Sequence, residues 1–139
     1  MTIAICMATF NGSDYLSEQI DSIINQSYSD WLLYIHDDNS TDETISIIRA
    51  YVKRYPEKIC YFDDDISYSN PSLNFSSIVT RIPGNVEYIM FSDQDDFWLE
   101  NKVLTAINKI RYVEENNPRN LPVLVHCDLI IVDKDKNED

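Results

Sequence analysis

Glycine is almost missing from this chain: its 139 residues include only Gly12 and Gly84. That excludes the glycine-rich turns with which Walker and dinucleotide-fold proteins cradle phosphate. Basic residues are also scarce, 11 against 24 acidic ones, for a formal net charge of −13. With no Lys/Arg cluster to meet phosphates, the balance argues against nucleic acid or an anionic membrane surface as partner. No apolar run is long enough to cross a bilayer. The start, MTIAICMATF, has no basic stretch ahead of its apolar residues, so it does not read as a signal peptide. The three cysteines, Cys6, Cys60 and Cys127, lie far apart, with neither zinc spacing nor an even count. They are expected to be reduced core thiols of a cytosolic protein.

What is present is an alternation of short apolar runs with helical patterns. Ile3 to Ala8 has strand length, and Leu16, Ile20, Ile23 and Ile24 then recur as on one helix face. Trp31 to Ile35 is a second strand. Ser40 and Glu43 have capping-box spacing before a helix through Ile45, Ile48 and Val52 that stops at Pro56. Ile59 to Phe62 is a third strand, and Asn70-Pro71 reads as an N-cap and first helical residue for a helix through Leu73 and Ile78. Val86 to Phe91 is a fourth strand. A longer helix with Val103, Ile107, Ile110 and Val113 inward runs to Asn116-Asn117-Pro118, and Val123 to Val132 reads as a fifth strand. Strands that are apolar on both faces and alternate with helices indicate a mostly parallel central sheet covered on both sides. One α/β domain over residues 1–139 is expected.

Ligands of such sheets bind beyond the carboxyl ends of the strands. Thr9 and Asn11 follow the first strand, Asp37 and Asp38 the second, Asp63 to Asp65 the third, and Asp93, Asp95 and Asp96 the fourth. A parallel sheet puts all four groups on one rim. One Asp suffices to cap a helix, whereas three within four positions repel one another unless a proton or cation shares the site. Carboxylate oxygens with no Cys or His nearby suit Mg²⁺ or Mn²⁺. No acidic run keeps the order of an EF-hand loop. Asp37 and Asp38 could accept the imide N–H of a uracil or thymine ring. His36 and His126, each within an apolar strand, read as satisfied core residues, and Asp63 to Asp65 as a solvated loop. No Ser–His or Cys–His arrangement indicates a nucleophile triad.

The ordered segments "ATFNG", "IHDDNSTDET", "MFSDQDDFWLENKV" and "HCDLIIVD" together resemble the N-terminal half of bacterial family 2 glycosyltransferases, most closely the rhamnosyltransferase-like members that build cell-surface polysaccharides. The resemblance implies a type A glycosyltransferase fold that binds a UDP- or dTDP-sugar through Mn²⁺ or Mg²⁺. It further implies nucleoside contacts from Ala8, Thr9 and Asn11, and base contacts from Asp37 and Asp38. Asp93-Gln94-Asp95 would be the family's Asp-x-Asp motif. Asp93 would touch the ribose, and the metal would be held by Asp95 with Asp93 or Asp96. The glycine usual after the Asp pair is Asn39 here, a change Asn tolerates in left-handed geometry. Transfer to a saccharide or lipid-linked acceptor, with inversion, needs a carboxylate base from an acceptor half that the chain is expected to lack. The implied location is cytoplasmic, either free or peripheral at the inner face of the membrane. Apolar surface left beside the last strand would favour a homo-oligomer.

Two other classes are weighed against the enzyme. One is a non-catalytic module that binds a nucleotide sugar and metal beside a partner chain. The other, a flavodoxin-like signalling domain, calls for a Lys at the end of the fifth strand, and Lys134 and Lys136 lie only in the tail.

Overall fold

The most apolar run of the chain becomes the middle of the sheet. In the computed structural model, which describes residues 2–117 and 121–132, strand β1 (Ile3–Thr9) pairs in parallel with β2 (Trp31–Asp37) on one side and β4 (Tyr88–Ser92) on the other. The short β3 (Ile59–Tyr61) adds to β2, giving the order β3-β2-β1-β4 with every pair parallel. Four helices connect and cover it: α1 (Leu16–Ile24), α2 (Thr44–Arg54), α3 (Pro71–Arg81) and α4 (Lys102–Asn116). This is the expected α/β architecture. Its register sets Thr9 opposite Asp37 and Met7 opposite Ser92, so the strand ends share one rim.

The period of two along β1 divides the core between the faces. Ile3, Ile5 and Met7 face Leu16, Ile20 and Ile23 of α1, Ile48 of α2, Val103 and Ile107 of α4, and Trp98. Ala4 and Cys6 face the other way, where Ile78 of α3 packs with Tyr34. Ile110 and Val113 of α4 are only partly buried. Asn70 caps α3 as its spacing predicts, its side chain accepting from the Leu73 amide at 3.2 Å with Pro71 at the first helical position.

Two expectations are corrected here. The run Val123–Val132 is not a fifth strand: it is irregular to Ile131, with a single bridge residue at Val132. Leu124, Leu129, Ile130 and Ile131 are exposed, as are His126 and Asp128. A strand needs a ladder partner and a covering layer, and among the described residues the run joins no strand of the β3-β2-β1-β4 sheet. Cysteine burial also differs. Cys6 is buried, which pushes its thiol up to about 12, but Cys60 and Cys127 are exposed. Cys60 lies on a three-residue edge strand, and Cys127 lies in the irregular run.

Within Asp63–Asp65, Asp63 and Asp65 are exposed as a solvated loop should be, but Asp64 is partly buried and acts as a tether. His36 is fully buried, with Nδ1 2.7 Å from Asn74 Oδ1 and Nε2 3.1 Å from Asp64 Oδ1. The second Asp64 oxygen accepts from Arg81 at 2.6 Å, and Arg49 donates to both oxygens of Asp63 at 3.0 Å. One carboxylate thus joins the β3–α3 loop to the end of β2 and the last turn of α3. Desolvation raises the pKa of Asp64, but hydrogen bonds from His36, the Ile66 amide and Arg81 outweigh it and hold the group below its usual value. Its contribution to stability is therefore complete above the unfolded carboxyl value of about 3.9 and is lost as pH falls through the lower folded value. Asp64→Asn should cost about 1–3 kcal/mol at pH 7 by leaving buried partners poorly matched. Urea unfolding at pH 7 and pH 3 should show the deficit shrinking at the lower pH, and equal stabilities at pH 7 would remove the tether.

Candidate functional site

Three loops meet at the carboxyl rim. The β1 loop follows Thr9, the β2 loop follows Asp37, and the acidic loop follows Ser92. The first two are joined through one buried carboxylate. Asp37, 2% exposed, accepts from the Thr9 hydroxyl at 2.8 Å, the Ser40 hydroxyl at 2.6 Å and the Ser40 amide at 2.7 Å. This displaces the capping box expected from Ser40 and Glu43: the Ser40 amide donates to the buried Asp37 rather than to Glu43, and Ser40 Oγ accepts from the Asn11 amide rather than from a helix amide. Helix α2 instead begins at Thr44, whose amide donates to Asp42 Oδ1 at 3.0 Å. Glu43 accepts from Ser46 at 2.8 Å.

Successive amides of the β1 loop then run along the β2 loop. Asn11 N–H donates to Ser40 Oγ at 2.7 Å, Gly12 N–H to Thr44 Oγ1 at 2.8 Å, and Ser13 N–H to Asp42 Oδ2 at 3.1 Å. In return Asn11 Oδ1 accepts from the Thr41 amide at 2.8 Å. Hydrogen bonds from Thr44 and Ser13 hold Asp42 below the usual carboxylate range. Asn11 and Asn39 both sit in the left-handed region, at φ 46° and 62°, a conformation Asn adopts more readily than other side chains. Asn39 thus fills the place of a glycine without apparent conflict of backbone geometry.

Of the residues picked out at these two loops, Thr9 and Asp37 are committed to each other. Asp38, 8% exposed, receives the Tyr68 amide on one oxygen, and its own amide donates to Thr9 O at 2.9 Å. Asp38 is the carboxylate of the pair with the fewer internal obligations. Ala8 is partly buried, and Phe10 beside it is 55% exposed.

The acidic loop is fastened from beneath by α1. With its amide oriented to match its neighbours, the buried Gln19 donates to Asp96 O at 2.7 Å and Ser22 Oγ at 2.9 Å. It accepts from Ser92 Oγ at 2.6 Å and Trp98 Nε1 at 3.2 Å. The Trp98 amide donates to Ser22 Oγ at 3.0 Å. Gln26 donates to Leu99 O at 2.8 Å and accepts from the Val103 amide at 3.0 Å. Sequence reading passed over these residues. The available signal was a polar stripe, Gln19, Ser22 and Gln26, spaced i, i+3, i+7 beside the apolar one.

Asp93 and Asp95 are exposed and Asp96 is partly so. Desolvation and the charges of Asp96 and Asp95 raise the pKa of Asp93. The two like charges thus add to the larger effect of desolvation. No group of three His, Cys, Asp or Glu side chains converges on one point among the described residues. The chemistry of the donors, oxygen only, is of the kind that fits a hard divalent cation.

The sequence matches the glycosyl transferase family 2 over residues 4–116. It is 35% identical over 111 residues to the dTDP-rhamnosyl transferase RfbG of Shigella flexneri, covering 79% of this chain and 38% of that protein. It is 29% identical over 107 residues to the GalNAc(5)-diNAcBac-PP-undecaprenol beta-1,3-glucosyltransferase of Campylobacter jejuni, covering 77% and 34%. Among solved structures, S. aureus TarS 1-349 in complex with UDP superposes with a TM-score of 0.65 at 21% identity, covering 81% of this chain and 32% of that one. The mannosyltransferase PcManGT from Pyrobaculum calidifontis, in complex with GDP-Man and Mn2+, gives 0.67 at 18% identity, covering 76% and 31%. The fold is that of the type A glycosyltransferases, and the chain spans about a third of the length of these relatives. On the strength of a match through nearly every element described above, the chain belongs to glycosyl transferase family 2.

Proposed function

We propose that this chain is the donor-binding part of a metal-dependent, inverting glycosyltransferase that uses a UDP- or dTDP-sugar in cell-surface polysaccharide synthesis. The acceptor is a saccharide or a lipid-linked one. The observation that carries the reading is the convergence of Asp38 and the loop of Asp93, Asp95 and Asp96 on one rim of a parallel sheet. Relatives named for transfer of rhamnose and glucose, and neighbours holding UDP or GDP-Man with Mn2+, support it.

A chain of net charge −13 repels a nucleoside diphosphate. Asp95, with Asp93 or Asp96, would hold Mn²⁺ or Mg²⁺. When bound, such an ion screens the diphosphate and stabilises it as leaving group. The chain's own residues do the remaining work of binding. Asp38 accepts the N3–H of uracil or thymine, Ala8 and the β1 loop line the nucleoside, and Asp93 reaches the ribose. Asp37 and Thr9 hold these loops in place from below, and Asn11 fixes the turn between them.

Three outcomes follow. UDP should bind measurably with Mn²⁺ and far more weakly in chelator, and calorimetric affinities that match in both conditions would sink the reading. Asp95→Ala should abolish the metal dependence while leaving uridine binding in place. UDP should be preferred over CDP, which lacks the N3 proton, by about 1–3 kcal/mol, the cost of leaving a buried acceptor unpaired. Equal competition by the two nucleotides would count against Asp38 as the base contact.

A further inference from the structure

Gln94 stands between two of the rim carboxylates, and its side chain takes over where the backbone of β4 stops. The β1–β4 ladder ends at Met7 opposite Ser92. Beyond that point Gln94 Oε1 accepts from the Phe10 amide at 2.9 Å, and Gln94 Nε2 donates to Phe10 O at 3.0 Å, across 84 positions of sequence. A carboxamide carries the same donor and acceptor as a peptide group, so this pair continues the ladder after the main chain has turned away. Gly12 is shaped to the contact. A Cβ there would lie 2.3 Å from Gln94 Oε1 and 2.4 Å from Cδ. Its φ is not positive, so the requirement at Gly12 is space rather than backbone freedom.

The anchors from α1 and from Gln26 just beyond it reach the acidic loop at Ser92, Asp96, Trp98 and Leu99, leaving the stretch from Asp93 to Asp95 to be held from the other side. Among the described residues, the two hydrogen bonds of Gln94 are the ones that tie this stretch to the β1 loop. We propose that Gln94 is a positioning residue that couples the cation-binding carboxylates to the nucleoside-binding loop, so that the ion and the nucleotide are taken up as one ligand. This rests on the donor-binding reading given above. Neither Asp nor Glu can replace it: Asp is too short, and Glu would set a fourth negative charge against the carbonyl of Phe10.

Gln94→Met keeps the length of the side chain and removes both bonds, whereas Gln94→Ala removes the side chain beyond Cβ. UDP affinity with Mn²⁺ and in chelator, uridine affinity and melting temperature should be measured for each variant and the native chain. The gain in UDP affinity due to Mn²⁺ should fall about tenfold in both variants, from the loss of two neutral hydrogen bonds, with uridine affinity within about twofold of native. Gly12→Ala should reproduce the loss by pushing the amide away, and in the Gln94→Ala background it should add nothing further. An unchanged Mn²⁺ gain in the variants overturns the coupling alone, as do parallel losses of uridine and UDP affinity, additive effects of the Gly12 and Gln94 changes, or failure of both Gln94 variants to fold. Absence of any Mn²⁺ gain in the native chain overturns the donor-binding reading and the coupling with it.

Discussion

The buried carboxylate of Asp37 organises the rim. It lies opposite Thr9 in the β1–β2 ladder and gathers the Thr9 hydroxyl together with the hydroxyl and amide of Ser40. Ser40 in turn receives the Asn11 amide, and from there the two loops run side by side through Thr44 and Asp42. A buried charge is retained only when its oxygens are well provided with donors, and here those donors come from both loops. Removing Asp37 would therefore release the β1 and β2 loops from each other.

The acidic loop obeys the opposite logic. Among the described residues no cationic side chain pairs with its carboxylates, and desolvation, with the charges of Asp96 and Asp95, pushes Asp93 toward protonation. Such a loop would drift open under its own repulsion unless fastened mechanically. Gln19 and Gln26 fasten it below and Gln94 fastens it across. Neutral amides suit this task, since they bring donors and acceptors without adding charge of either sign. The result is a fastened frame around a concentration of negative charge.

The sheet and helices could be read from the sequence because the signals that build them are local. The continuous run of β1, the i, i+4, i+7 spacing of Leu16, Ile20 and Ile23, and the cap at Asn70 each act within a few residues. The rim positions followed from strand order alone. What could not be read depended on partners distant in the chain. Ser40 has a good capping partner three residues on, but Asp37 competes for it and wins. Asp64 looks solvated until Arg81 and His36 are placed beside it. Gln94 reads as the spacer of an Asp-x-Asp motif, and only the fold brings Phe10 within 2.9 Å. The run Val123–Val132 carries a strand's composition, but composition cannot supply the neighbour a strand must pair with.

The central claim is that one rim holds both the ion and the nucleotide, and paramagnetic broadening by Mn²⁺ tests it most directly. In amide spectra of the isotopically labelled chain with UDP present, substoichiometric Mn²⁺ should erase the signals of residues 93–96 first and those of residues 8–12 and 38–40 next. Amides of α3 and of the amino ends of the strands should keep their intensity. Broadening scattered over the acidic surface, or centred away from the ends of β1, β2 and β4, would contradict the account.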